Sequence, residues 1–192
     1  MPRTPDPELE DRIVAAAMRL LDRGGEAAIT MRAVAVEAGT TTPTIYERFS
    51  DREAILRRVA RRGTDELFAI LQPLASVDKM VREYLRFNCA HPQRFDLTVE
   101  VFGERSVAGE SRPIFDLLKA RLTKEVGVTG SRCEDLALAI ASLFFGTARG
   151  MVAAGVDTKH ANELRRSSLS ALRFLMNAFA KPSGARPHSG SS

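Results

Sequence analysis

Apolar side chains recur at helical spacing along nearly the whole chain, and the two-residue alternation of a half-buried strand persists nowhere. Leu9, Ile13, Ala16, Ala17, Leu20 and Leu21 predict a first helix, which Gly24-Gly25 stops. Thr30 is placed to N-cap a short helix ending at Gly39, and Thr41 to cap the next. Pro43 is tolerated in that first turn because the N–H it lacks would be unpaired there. Ser50 and Glu53 have capping-box spacing for a longer helix towards Leu71, and Pro73 ends it. Val77, Met80, Val81, Tyr84, Leu85 and Asn88 line one face up to His91-Pro92, and Phe95, Val99 and Phe102 mark a short helix before Gly103. Pro113 opens a helix with Ile114, Leu117, Leu118 and Leu122 inside, stopped near Gly127. Residues 136–154 are apolar almost all round and predict a central helix; Leu164, Leu169, Leu172, Leu175, Met176 and Phe179 predict a last amphipathic one. The pattern is therefore all-α, with about nine helices and no internal repeat.

Composition narrows the class of protein. The 192 residues, 44% of them hydrophobic, suffice for a small head on a larger body. The net charge of +4 permits nucleic-acid binding without requiring it. Its placement says more: Arg48, Arg52, Arg57, Arg58, Arg61 and Arg62 face only Asp51 and Glu53 over the same stretch. The two cysteines, Cys89 and Cys133, are too sparse for a disulfide framework and suit a reducing cytosol. The opening MPRTPDPELEDR lacks the apolar run of a signal peptide, and the apolar stretch 136–148, interrupted by Ser142, Gly146 and Thr147, is expected to be too short for a bilayer. A cytoplasmic protein with no membrane partner is expected. Cys89 and His91 lack a third ligand for zinc, the three histidines are scattered, and neither a Walker-type phosphate loop nor a GxSxG motif occurs. Neither catalytic residues nor a metal or cofactor are expected.

The informative stretch is ITMRAVAVEAGTTTPTIYERFSDREAIL, residues 29–56. Two short helices meet at Ala38-Gly39-Thr40, where glycine allows the left-handed backbone of a sharp turn. Val34, Ala35, Ala38, Ile45 and Phe49 can pack inward together, leaving Thr41, Thr42, Thr44, Tyr46 and Arg48 towards the outer side. Short hydroxyl donors, methyl groups, an aromatic ring and a cation suit phosphates, base edges and thymine methyls. A short second helix presenting its N-terminal end is the docking geometry of a helix-turn-helix reader.

Thr30, Val34, Ala35, Ala38-Gly39, Ile45-Tyr46, Phe49 and Arg52-Glu53 fall, in order and spacing, where the TetR family of transcriptional regulators carries its DNA-binding pattern, and the stretch resembles that region. Thr40-Thr41 replaces the family's usual Val-Ser, Arg48 stands where His is frequent, and Ser50 where a basic residue is common. The resemblance implies a dimeric regulator, usually a repressor, on double-stranded palindromic operator DNA. Thr30 and Thr41 would hold phosphates at helix N-termini, while Thr42, Thr44 and Tyr46 would face the major groove. Arg52 would clamp the DNA backbone, with Arg32 and Arg48 as further contacts. Each role has a plainer counterpart: the threonines as caps alone, Tyr46 as a packing residue, and Arg57, Arg58, Arg61 and Arg62 as a solvated face.

The resemblance also implies a C-terminal body with an effector pocket and a homodimer interface made by the last two helices. Candidate effector contacts are Phe87, His91, Phe95, Phe102, Phe115, Phe144, Thr147 and Arg149, the last serving equally well at an interface. A two-fold dimer would match half-sites roughly 34–36 Å apart, or a multiple of that. The expected organisation is a helix-turn-helix domain over 1–50, a connecting helix over 51–72, a ligand-binding and dimerisation domain over 73–180, and a disordered tail over 181–192, rich in Pro, Gly and Ser. An alternative keeps the DNA-binding head but has the body bind a protein partner rather than a small ligand.

Overall fold

The computed structural model describes residues 7–102 and 112–180, except the side chains of Pro7 and Phe102. Among these, the chain forms nine α-helices and no strand: α1 (Pro7–Gly24), a 3-10 turn (Glu26–Ala28), α2 (Met31–Glu37), α3 (Thr42–Tyr46), α4 (Arg52–Leu71), α5 (Val77–Ala90), α6 (Pro92–Phe102), α7 (Pro113–Val126), α8 (Gly130–Ala154) and α9 (Lys159–Phe179). The all-α expectation holds, and the chain divides into two compact units. The tail 181–192, expected to be disordered, lies outside the described residues.

The first unit holds α1 to α4 as far as Ile70, the end of α5, and α6. Its core joins Ile13, Ala17 and Leu21 of α1, Val34 and Ala35 of α2, Ile45 of α3, and Ile55, Leu56 and Val59 of α4. Leu97 of α6 enters the same core. Polar contacts fasten α6 there as well. Arg94, only 16% exposed, donates from Nε and Nη2 to the two carboxylate oxygens of Asp22, at 2.8 and 2.6 Å, and from Nη1 to Glu66 of α4, at 2.9 Å. A guanidinium fork matches a carboxylate in this paired geometry, and the bonds are charge-assisted.

The second unit holds the start of α5 with α7, α8 and α9. Arg121 of α7 donates to the carbonyls of Leu74 and Gln72, at 2.8 and 2.7 Å, and Glu125 accepts from the Val77 N–H at 2.6 Å. Helices α8 and α9 pack antiparallel: the guanidinium of Arg132 lies 5.7 Å from the Phe179 ring centroid, while Gly150 faces Leu164. A Cβ at Gly150 would come within 3.0 Å of the Leu164 side chain, so the absence of one permits this approach. Between them Thr147 and Ser168, both buried, are joined by a 2.6 Å hydrogen bond, and the Thr147 hydroxyl also donates to the Leu143 carbonyl.

Two sequence expectations are corrected. Helix α8 begins at Gly130, not Leu136, and its 25 residues make it long and apolar enough to cross a membrane by length and composition. Leu136, Ile140, Phe144 and Met151 are nevertheless buried within the unit, as in a core helix. The N-terminus of α4 is held by Asp51, whose Oδ1 accepts from the Ala54 N–H at 2.7 Å, whereas the Ser50 hydroxyl donates to Asp51 Oδ2. A carboxylate is the stronger acceptor at the positive end of a helix, and it displaces the serine by one position.

Removing the α6 clasp tests its weight. Arg94→Ala is expected to lower stability by about 1–3 kcal/mol in urea unfolding, the range for losing charge-assisted hydrogen bonds; an unchanged midpoint would mean that Leu97 alone holds the helix.

Candidate nucleic-acid interface

Helices α2 and α3 span 7 and 5 residues, too short to stand alone, so their ends and their inner faces must fix them. The Thr30 hydroxyl accepts from the Ala33 N–H at 3.1 Å, and the Thr41 hydroxyl accepts from the Thr44 N–H at 3.4 Å. Between the helices Gly39 has φ +67°, the left-handed conformation, and the chain closes with Thr40 N–H on the Ala35 carbonyl and Gly39 N–H on the Val36 carbonyl. This pair of bonds is a Schellman motif, which satisfies carbonyls that a helix end would leave open. Val34, Ala35, Ile45 and Phe49 are buried beneath the turn and Ala38 half-buried, as the pattern predicted.

The outer side carries the expected polar set. Thr30, Arg32, Thr41 and Tyr46 are exposed, the tyrosine by 55%, while Thr42, Thr44 and Arg48 are half-buried. The Thr41 and Thr44 hydroxyls lie 3.0 Å apart and share a hydrogen bond. Arg48 Nε is buried with no hydrogen-bond partner among the described residues. Val36, 75% exposed and one turn beyond Arg32 on α2, adds an apolar contact that sequence reasoning passed over. The signal was available, since Val34 and Ala35 face inward and the spacing puts Val36 outside.

Most neighbouring arginines are engaged within the head. Arg19 and Arg23 both bind Glu37, at 2.7 and 2.5 Å; these bonds, Arg19 first, hold its carboxyl below the usual range. Arg58 pairs with Glu10, Arg62 with Asp11 and Glu66, and Arg57 with Asp51, so three members of the basic cluster serve helix packing. Arg32, by contrast, has no ion pair among the described residues. Arg52 turns inward: Nε donates to the Ile29 carbonyl at 2.7 Å, and Nη2 to the carbonyl and carboxylate of Glu26, at 2.9 and 2.8 Å. Its bond with Arg52 lowers the Glu26 carboxyl, which also hydrogen-bonds Glu100 of α6; that contact with Glu26 pushes the Glu100 carboxyl up.

The candidate effector residues divide between the units. Phe87, its ring 4.9 Å from the half-buried His91, and Phe95 are buried in the first; Phe115, Phe144 and Thr147 are buried in the second. Arg149 is exposed, and the Phe102 side chain lies outside the described residues. None of these lines the cavity of about 260 Å³ beside α4 and α6, which Glu53, Leu56, Arg57, Leu97, Glu100 and Val101 surround.

Two short helices closed on a glycine, apolar within and carrying hydroxyls, a ring and a cation without, define a helix-turn-helix DNA-binding head. Residues 13–59 match the model of the bacterial regulatory proteins of the tetR family. No curated protein matches the chain. Among solved structures, the transcriptional regulator SCO7222, a TetR from Streptomyces coelicolor, is 20% identical with a TM-score of 0.70, covering 88% of this chain and 96% of its own. A TetR variant from Acinetobacter baumannii AYE in complex with minocycline is 16% identical with a TM-score of 0.65, covering 92% and 97%. The multidrug binding protein EbrR, complexed with imidazole, is 22% identical with a TM-score of 0.63, covering 97% and 96%. At these identities the structural likeness establishes the fold, and residues 13–59 carry the pattern of the tetR family's DNA-binding head.

The Glu26–Glu100 contact gives a pH test with a definite sign. A raised carboxyl contributes stability that is complete below its unfolded pKa and lost as pH rises through its folded one. Glu100→Gln, neutral at every pH, is therefore expected to melt higher than the wild type at pH 7, with the gap closing near pH 4, where ordinary glutamates protonate. An equal or lower melting temperature at pH 7 would count against the contact.

Proposed function

We propose that the protein is a cytoplasmic transcriptional repressor, a homodimer that holds a palindromic operator through two α2–α3 heads and releases it when a small molecule enters the C-terminal body. The outer face of α2 and α3 carries this reading: Thr30, Arg32, Thr41, Thr42, Thr44, Tyr46 and Arg48 supply phosphate and base donors around a rigid turn, with Val36 available to thymine methyls.

The dimer proposal has support in the second unit. Leu138, Ser142, Phe145 and Arg149 make one exposed stripe on α8, and Glu163, Ser167, Ser170, Phe174 and Asn177 another on α9. Leu138 is 42%, Phe145 38% and Phe174 73% exposed, which a second copy would cover; Arg149 fits this face better than an enclosed pocket. For the effector, the second unit offers Phe115, Phe144 and Thr147, the mostly apolar chemistry that such a site needs. The minocycline and imidazole complexes of similar folds favour a small ligand over a protein partner. To act, the ligand must prefer the DNA-incompetent state by about 1–3 kcal/mol.

Selection of genomic fragments by the purified protein is expected to enrich a palindrome, with affinity falling steeply as salt rises; indifference to every duplex at moderate salt would overturn the reading. On the recovered operator, Tyr46→Ala should cost about 1–3 kcal/mol of binding while leaving the dimer intact. Phe174→Asp should yield monomers in sedimentation and weaken operator binding, whereas an unchanged dimer would move the interface elsewhere. Thermal-shift screening against small molecules should yield a stabilising ligand; none, together with a stable protein complex, would favour the adaptor.

A further inference from the structure

One side chain joins the link between α1 and α2 to the start of α4. Arg52 is the first residue of α4. Its Nε and Nη2 reach the carbonyls of Ile29 and Glu26 and the Glu26 carboxylate, all between 2.7 and 2.9 Å. Nη1 makes a longer contact with Glu53 at 3.3 Å. Ile29 is fully buried and directly precedes Thr30, the cap of α2, so its carbonyl has no route to water and is served by this donor. A cation at the positive end of a helix is unfavourable, and three oxygen acceptors offset that cost. Most of the guanidinium's donors are thus engaged, and a phosphate could recruit them only by opening these bonds.

We propose that Arg52 is a positioning residue for DNA reading: it braces the start of α4 to the entry of α2, so that the turn between them presents α3 at a fixed angle, and it does not clamp a phosphate. This rests on the DNA-binding reading above. The forked geometry matters more than the charge, since a lysine ammonium cannot reach the Ile29 and Glu26 carbonyls and the Glu26 carboxylate in one plane.

The test compares Arg52→Ala, Arg52→Lys and Glu26→Ala with the wild type on the selected operator and on a scrambled duplex, at several salt concentrations and a temperature where circular dichroism shows each folded. The brace requires both Arg52 variants to lose about tenfold in operator affinity, the size of a lost base contact. Scrambled-duplex affinity and the slope of log K against log salt should stay at wild-type values. Glu26→Ala, which leaves the arginine in place, should weaken operator binding too. A phosphate contact predicts the reverse: Arg52→Lys stays near wild type, Arg52→Ala lowers the salt slope by about 1, and Glu26→Ala, by freeing the guanidinium, tightens both duplexes. That pattern overturns the proposal, as do wild-type operator affinities in all three folded variants. If Arg52→Ala fails to fold, the Arg52→Lys and Glu26→Ala results decide alone. Failure of the wild type to bind any duplex would sink the DNA reading itself, a result separable from these.

Discussion

A helix of five residues has no stability of its own in water, so α3 exists because Ile45 and Phe49 are anchored in a core that α1, α2 and α4 build around them. That one burial constraint sets everything outside it. With Ile45 fully buried, Tyr46 must face solvent, and Thr41, Thr42 and Thr44 must ring the N-terminal end. The reading face is thus a by-product of which side is apolar. The left-handed Gly39 then lets the chain reverse without lifting Ala35 and Ile45 off their common core.

The arginines of this head divide by geometry, not by number. Those aligned with a carboxylate on the next helix, such as Arg19, Arg23 and Arg58, act as fasteners, and exposed pairs of this kind contribute little each. Arg94 and Arg52 differ because they are partly buried and forked, so losing either strands acceptors that cannot easily turn to water. Arg32 has no carboxylate partner among the described residues and is exposed. A count of the head's arginines therefore overstates what it offers to phosphates and understates how much of its shape is held by cations.

Much of this was legible in the sequence because helical periodicity and cap chemistry are local. The helix-turn-helix, the caps at Thr30 and Thr41, and the inward set Val34, Ala35, Ile45 and Phe49 could all be placed without coordinates. The residues that escaped depend on partners far along the chain. Arg52 looked like a surface cation because Glu26 and Ile29 are separated from it by two helices, and α6 gave no hint that Arg94 and Leu97 would join the head. The cap at α4 was misplaced by one residue because Ser50 and Asp51 are both good caps, and only the hydrogen bonds tell them apart. Effector contacts were the least legible, since phenylalanines that fill a core and those that line a cavity share one spacing.

The buried bond between Thr147 and Ser168 has a consequence of its own. Were α9 to slide along α8 by a turn, about 5.4 Å, the bond between the two hydroxyls would be lost. Leucines and alanines alone would set no such register. The hydroxyl pair thus works as a latch that keeps the two helices moving as one plate, with the rows bearing Phe145 and Phe174 always in step.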